Sequence, residues 1–367
     1  MSKKLKFLIS GGGTGGHIFP AISIANALQE AAHDCQILFI GANNRLEMQR
    51  IPEVGYNIVG LNMQGIERKK VWKNFSVVAN FVKSCLKARK IVKNFAPDVA
   101  IGVGGYVSGA AIWAASSLGV PVVLQEQNSF AGVTNKFLAR KALKICVAYP
   151  NMEKFFNWEK IVITGNPVRQ NILNQSIDKE LAYREFGLQS EKKTLLVIGG
   201  SLGAKTINQS ILENIEKIYN SDIQVIWQTG KFYFNDISQK IGKSDNIFVS
   251  DFILRMDYAY AIADLVISRA GASSISELCL LGKPVILVPS PNVAENHQYH
   301  NAMVLAEKFA AVLVEDSAAA ENLLHEALNL IHNDQKLNLL HKNIQTLALK
   351  DSAQKIAQEV MKIVMSH

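Results

Sequence analysis

A histidine that closes a run of glycines is the first arrangement in this sequence able to do chemistry. Residues 7–20 read Phe-Leu-Ile-Ser-Gly-Gly-Gly-Thr-Gly-Gly-His-Ile-Phe-Pro, with five glycines between positions 11 and 16 and His17 directly after them. Glycine admits backbone conformations that a Cβ resists and lets a ligand approach the main chain. Amides of such a turn, set at a helix N-terminus, favour negative charge. An unperturbed imidazole titrates near neutrality, so His17 beside an anion site is a candidate general base. The competing reading is a packing histidine, or one that orients loop or ligand without moving a proton.

A second constellation stands in the other half. Residues 268–277, Ser-Arg-Ala-Gly-Ala-Ser-Ser-Ile-Ser-Glu, follow an apolar run and open a helical one. Gly271 and the amides after it suit a phosphate, and Glu277, one to two turns in, suits a ribose diol. The alternative is a capping segment whose Glu277 favours the positive end of the helix dipole. A nicotinamide dinucleotide is disfavoured, because that fingerprint wants a carboxylate near the end of the second strand. There the chain reads Phe39-Ile-Gly-Ala-Asn-Asn-Arg45. His297 and His300 have the spacing of a metal pair but lack a nearby acidic or thiol ligand set, and the sequence holds no Asp-x-Asp. No metal site and no cofactor is expected.

Elements that position these residues follow from periodicity. A buried strand over 5–9 leads into the glycines, and a helix restarts after Pro20 with Ile22, Ile24, Ala25 and Leu28 at helical spacing. Short apolar runs at 35–40, 99–103, 120–124, 145–148 and 161–164 alternate with helical stretches, which predicts a parallel sheet covered by helices. The pattern then begins again. Residues 194–204, Thr-Leu-Leu-Val-Ile-Gly-Gly-Ser-Leu-Gly-Ala, repeat strand, glycines and helix, and runs at 223–228, 247–249, 265–268 and 285–288 supply a second set of strands. Two doubly wound halves therefore meet near Asn166-Pro167, with the ligand-binding ends of both sheets expected on a shared cleft. A last helix, about 352–365, lies beyond the second set and is expected to pack back on the first domain.

Size agrees with two domains, since 367 residues exceed the usual limit for one core. A hydrophobic fraction of 49% excludes wholesale disorder. Cys35, Cys85, Cys146 and Cys279 lie far apart without a CxxC, which fits reduced, buried thiols. The basic N-terminus is followed by too short an apolar run for a signal peptide. Residues 99–125 carry no charge, yet six glycines and prolines interrupt them, so two strands around a short helix explain them better than a membrane span.

The net charge of +8 is concentrated between 65 and 95, where nine basic residues face Glu67 alone. Asn80, Lys83, Lys87, Lys90 and Asn94 recur at helical spacing, as a solvated face would. Just before them, Arg68, Lys69, Lys70, Val71, Trp72 and Phe75 interleave cations with amphipathic side chains, which suits an anionic membrane surface. No nucleic-acid motif occurs.

Six motifs, residues 11–17, 102–109, 125–128, 165–169, 199–204 and 269–277, together resemble one family, in order and with similar spacing. They look like the lipid I N-acetylglucosaminyltransferases of peptidoglycan synthesis, the MurG family of glycosyltransferases (family 28 type). The likeness runs from about residue 7 to 303, and the last fifty or so residues match only in general character. It implies an α/β GT-B fold, two Rossmann-like doubly wound domains facing a central cleft. An acceptor- and membrane-binding domain would span 1–166, joined by the helix at about 350–367, and a UDP-sugar domain 167–349. The implied reaction is inverting, metal-independent transfer of N-acetylglucosamine from UDP-N-acetylglucosamine to the C4 hydroxyl of the muramoyl sugar of lipid I, giving lipid II. Its setting would be the cytoplasmic face of a bacterial cell membrane, held peripherally, with cell-wall or division proteins as further partners and no nucleic acid.

Carried over by position, the donor would meet Thr14, Gly15, Gly16, Asn128, Arg169, Ser201, Ile253, Ala272, Ser273, Ser274, Ile275, Ser276, Glu277 and Gln298. His17 and Glu126 would be the catalytic candidates, with the base open between them. Gly104, Gly105, Tyr106 and Ser108 would receive the acceptor's pyrophosphate, tight strand–helix packing being the alternative. Gln125, Ser274 and His297 depart from the residues common in the family. The rivals are another GT-B sugar-nucleotide enzyme, such as a soluble glycosyltransferase or a UDP-N-acetylglucosamine epimerase, and a non-catalytic UDP-sugar-binding membrane scaffold.

Overall fold

The computed structural model describes residues 4–63, 74–169, 172, 177–200 and 202–366. The chain divides into two compact units, Met1–Arg169 with Lys350–His367, and Gln170–Leu349.

In the first unit, β1 (Lys6–Ser10) leads through the glycines to α1 (Gly15–Ala31). There follow β2 (Gln36–Ala42), α2 (Glu47–Glu53), β3 (Asn57–Leu61), α3 (Asn74–Phe95), β4 (Val99–Gly102), α4 (Tyr106–Ser117), β5 (Val122–Glu126), α5 (Val133–Leu138), β6 (Lys144–Val147) and β7 (Ile161–Ile163). The seven strands form one parallel sheet in the order β3-β2-β1-β4-β5-β6-β7. Side chains alternate across it as a strand requires. Phe7 and Ile9 pack with Ile24 and Leu28 of α1, whereas Leu8 packs with Ala110 and Ala114 of α4 on the other face. Covered on both faces, these strands read as unbroken apolar runs. The charge-free stretch from 99 to 125 is thereby accounted for as β4, α4 and most of β5.

The second unit repeats the plan: α6 (Lys179–Phe186), β8 (Thr194–Ile198), α7 (Lys205–Glu213), α8 (Ile215–Tyr219), β9 (Gln224–Gln228), α9 (Phe234–Ile241), β10 (Ile247–Ser250), α10 (Met256–Ile262), β11 (Leu265–Ser268), α11 (Ala272–Leu281), β12 (Val285–Leu287), α12 (His297–Ala306), β13 (Val312–Leu313), α13 (Ala319–Ile331) and α14 (Asp334–Gln345). Its parallel sheet runs β10-β9-β8-β11-β12-β13. Leu195 and Val197 join one core, Leu196 and Ile198 the opposite one. The final helix, α15 (Ser352–Ser366), packs in the first unit, with Ile356 and Val360 fully buried beside Ile24 and Leu28.

Two details differ from the sequence reading. The edge strands β3 and β13 were not anticipated, being short and half-exposed at several positions. α1 begins at Gly15 rather than after Pro20, because the Thr14 carbonyl accepts from the N–H groups of both His17 and Ile18. His17 therefore stands inside the first helical turn, not on the loop. The four cysteines are free and buried, and burial pushes the Cys146 and Cys279 thiols up to about 12.

In each sheet the winding reverses beside the first strand, between β1 and β4 and between β8 and β11. Loops leaving such a pair diverge to opposite faces and open a crevice at the carboxyl ends of the strands. If α15 is integral to the first unit, Ile356→Ala removes buried volume that α1 cannot refill. A loss of about 2–5 kcal/mol is expected on denaturant unfolding, and a midpoint equal to wild type would show α15 to be a dispensable appendage.

Candidate functional site

At the β1/β4 reversal two glycine turns interlock. Gly105 has φ +82°, and a Cβ there would stand 2.5 Å from the Gly12 carbonyl oxygen. This contact brings the N-termini of α1 and α4 together with Thr14, Gly15, Gly16, His17, Gly104 and Tyr106. The ring of His17 lies against Gly104, whose Cβ would fall 2.9 Å from Nε2. Its Nδ1 is 3.1 Å from the Gly12 carbonyl and 3.3 Å from Thr14 Oγ1. A carbonyl oxygen can only accept, so in the neutral ring Nδ1 carries the hydrogen and Nε2 keeps its lone pair. The hydroxyls of Tyr106 and Ser108 are buried at the start of α4 without a hydrogen-bond partner among the described residues. Buried polar atoms of this kind call for an explanation, and a ligand oxygen is one. The Arg169 guanidinium lies 5.3 Å from the ring centroid of Phe19, in the second turn of α1.

Glu126 has a different character. It is buried at the end of β5, and both carboxyl oxygens are covered: Oε1 accepts from the Asn128 N–H and side chain at 3.1 and 3.3 Å, Oε2 from Gly132 N–H at 3.0 Å and Asn135 Nδ2 at 2.9 Å. Burial pushes its carboxyl up while these donors pull it back. Asn128 is thus engaged in fastening the 127–132 loop. Next to it, Gln125, Gln127 and Asn166 form a buried amide network, with Gln125 donating to Asn166 Oδ1 at 2.9 Å and Gln127 to the Val103 carbonyl at 2.6 Å. Gln125 is a strut between β5 and the 165–167 turn.

One carboxylate escaped the sequence reading. The second strand does have an acidic residue at its end, Glu47 at the start of α2, fully buried beneath the first glycine turn. It accepts from the Ala42 N–H at 3.0 Å and the Gly13 N–H at 3.1 Å. With both oxygens on protein amides, it is not placed to take a ribose. A first-turn Glu directly after Asn-Asn-Arg-Leu looks like ordinary surface charge, and nothing in its spacing signals that it folds inward.

In the second unit, the turn after β8 closes on the turn after β9. Gln228, the last residue of β9, links the turns after β8 and β10, donating to the Gly200 carbonyl at 3.1 Å and accepting from the Ile253 N–H at 3.1 Å. Ile253 is buried with its N–H taken, so a base would meet its carbonyl. Gly271 caps α11 in extended conformation. Ala272, Ser273 and Ser274 form its first turn with Ile275, whose side chain is core. The Ser273 hydroxyl is buried without a partner among the described residues, whereas Ser276 Oγ donates to the Ala272 carbonyl at 2.9 Å. Glu277 is the sixth residue of α11, too far in for a capping role, and accepts from the Tyr260 hydroxyl at 3.2 Å. Gln298 accepts from the Ser290 N–H at 2.9 Å, which leaves its NH2 directed elsewhere. Arg269 is spent on the Val288 carbonyl at 3.1 Å and on Asp316. Tyr260 and Gln228 are further residues that sequence reasoning did not find.

Ser201 and the segment with Arg68, Lys69, Lys70, Val71 and Trp72 lie outside the described residues, as does the side chain of Phe75. Among the described residues no cluster of three or more His, Cys, Asp or Glu could hold a metal ion.

Residues 7–147 match the N-terminal domain of glycosyltransferase family 28, and residues 194–360 its C-terminal domain. A protein of Parabacteroides distasonis is 57% identical over 364 residues, covering 99% of each chain. It carries the name UDP-N-acetylglucosamine–N-acetylmuramyl-(pentapeptide) pyrophosphoryl-undecaprenol N-acetylglucosamine transferase. A Bacteroides thetaiotaomicron protein of the same name is 56% identical over 367 residues, again with 99% of each chain covered. Among solved structures, MurG of Acinetobacter baumannii is similar with a TM-score of 0.77 and 27% identity, covering 98% of this chain and 99% of that one.

The interlock of the two turns can be tested directly. Gly105→Ala adds both a left-handed Cβ, about 1–2 kcal/mol, and a collision with the Gly12 carbonyl. A melting temperature lowered by several degrees is expected, and an unchanged melt would mean that the turns are not in contact.

Proposed function

Because this chain belongs to glycosyltransferase family 28, we propose that it transfers N-acetylglucosamine from UDP-N-acetylglucosamine to N-acetylmuramyl-(pentapeptide) pyrophosphoryl-undecaprenol, lipid I, as a two-domain GT-B enzyme. The product is lipid II. The observation that carries the chemical reading is His17, whose Nδ1 is held by the Gly12 carbonyl so that Nε2 is left with a lone pair beside the Gly104 turn.

The reaction is a single displacement with inversion. The acceptor's C4 oxygen attacks the anomeric carbon, the bond from that carbon to the diphosphate oxygen breaks with its electron pair on UDP, and the hydroxyl proton passes to His17 Nε2. Glu126 serves as scaffold, since its oxygens are occupied by four N–H donors and would have to shed one before taking a proton. Thr14, Gly15 and Gly16 at the start of α1, with Arg169 beside them, stabilise the charge on the departing diphosphate. These groups supply that stabilisation without a metal. Gly104, Gly105 and the unpartnered hydroxyls of Tyr106 and Ser108 receive the acceptor's pyrophosphate.

The second unit holds the donor nucleotide. Uracil meets the Ile253 carbonyl. Ala272, Ser273 and Ser274 take the diphosphate, Glu277 the ribose and Gln298 the sugar. The first unit then binds acceptor and membrane. No described helix is long and apolar enough to cross a membrane. Peripheral attachment to an anionic cytoplasmic surface is supported by α3, where exposed Phe81, Val82 and Leu86 stand among Lys83, Arg89 and Lys90.

The deciding measurement is transfer of radiolabelled N-acetylglucosamine from UDP to a lipid I analogue. Transfer is expected to persist in EDTA, and loss on chelation would end the metal-free reading. His17→Gln should lower kcat by about 10²–10⁴-fold with UDP affinity unchanged, whereas near-normal turnover would remove His17 as the base. For the membrane, Trp72→Ser with Leu86→Ser should weaken binding to anionic vesicles, and equal binding would discard this face.

A further inference from the structure

The Gly12 carbonyl and the Gly13 N–H belong to one peptide group, and no peptide bond in the described chain is cis. In a trans peptide these two dipole ends point in opposite directions. On one side the N–H donates to Glu47 Oε2 at 3.1 Å; on the other the carbonyl lies 3.1 Å from His17 Nδ1. We propose that Glu47 is the positioning residue of the catalytic histidine, acting through this peptide to fix the tautomer and direction of the His17 ring. The proposal rests on the reading of His17 as the base.

Several features fit this relay better than a mere structural carboxylate. Glu47 is fully buried, so its charge must be met by hydrogen bonds, and both bonds found are to backbone amides. Its other oxygen is anchored on the Ala42 N–H at the end of β2, which makes the sheet the fixed point. Room for the carboxylate is made on both sides by glycine. A Cβ on Gly12 would stand 2.3 Å from Oε1, and one on Gly41 would stand 2.7 Å from Cγ. A hydrogen bond from the N–H to a charged acceptor polarises the peptide and strengthens its carbonyl as an acceptor. The Nδ1–H of His17 is thereby held, and Nε2 is held unprotonated toward the Gly104 turn. The geometry is that of a carboxylate–histidine pair with a peptide group inserted between its members.

Glu47→Gln keeps the shape but offers one acceptor to two N–H donors, so either Gly13 or Ala42 loses its partner. In the full-length protein, nitrogen NMR of isotope-labelled histidine reads the tautomer, the His17 signals being identified by their loss in His17→Gln. Wild type is expected to show Nδ1 protonated and Nε2 unprotonated, and Glu47→Gln a mixture of both forms. With it, kcat should fall about 10- to 100-fold, as for a small misplacement of a reacting group, while KM for UDP-N-acetylglucosamine stays unchanged. A folded Glu47→Gln protein whose tautomer and kcat match wild type would overturn the proposal, even if it melted earlier. Should Glu47→Gln not fold, Gly41→Ala displaces the same carboxylate from the β2 side and is read the same way. If His17→Gln keeps its turnover, the base assignment fails, yet the tautomer comparison still decides whether Glu47 sets the ring.

Discussion

The candidate site of the first unit depends on the approach of Gly105 to the Gly12 carbonyl, closer than any side chain would allow. That approach exists because β1 and β4 are neighbours while the helices that follow them lie on opposite faces of the sheet. Both chains must turn sharply within a few residues of adjacent strand ends. Once they do, two helix N-termini converge, and with them roughly half a positive charge each. Such convergence is unfavourable unless negative charge lies near it. Glu47 supplies some from within the protein, and the diphosphate of the proposed reaction would supply more from outside.

The second unit uses the same topology with a different internal partner. Its turn after β8 is drawn onto the turn after β9 so tightly that a Cβ on Gly203 would lie 2.1 Å from the Thr229 carbonyl. Here the bracket is the neutral amide of Gln228, which has one donor for Gly200 and one acceptor for Ile253. A carboxylate could not make both bonds, and it would oppose a nucleotide diphosphate. Trp227 and Asn208 brace the bracket from behind, the indole donating to Asn208 Oδ1 at 3.0 Å and Asn208 to the Thr229 carbonyl at 2.8 Å. The two units therefore share a fold and differ in the charge placed beneath the glycine turn.

This difference also marks where sequence reading reached and where it stopped. Short apolar runs gave both sheets except β3 and β13, two edge strands half-exposed at several positions, whereas the other two edges, β7 and β10, are apolar enough to read as strands. The glycine turns and His17 were legible because their residue types are scarce outside such roles. Glu47, Gln228 and Tyr260 were not, for their partners lie 34, 25 and 17 residues away and two of those contacts involve backbone amides. Any acidic or amide residue could serve, so type alone carries no signal. Glu126 shows the converse: its motif position suggested chemistry, and only the structure shows the four donors by which its carboxylate also holds a loop.

Why a peptide should stand between Glu47 and His17 follows from the charges the reaction handles. A carboxylate bonded directly to the imidazole would orient it well, and many histidine bases are held that way. Both substrates of the proposed reaction carry diphosphates, however. Two unit charges about 4 Å apart interact by about 4 kcal/mol at the effective dielectric of a partly buried site, and the interaction halves when the distance doubles. Setting the anion one peptide group further back keeps its orienting effect, which travels through aligned hydrogen bonds, while reducing its repulsion of the substrates. The glycines at 12 and 13 are what allow the main chain to pass between a buried carboxylate and a histidine ring at hydrogen-bonding distance from both.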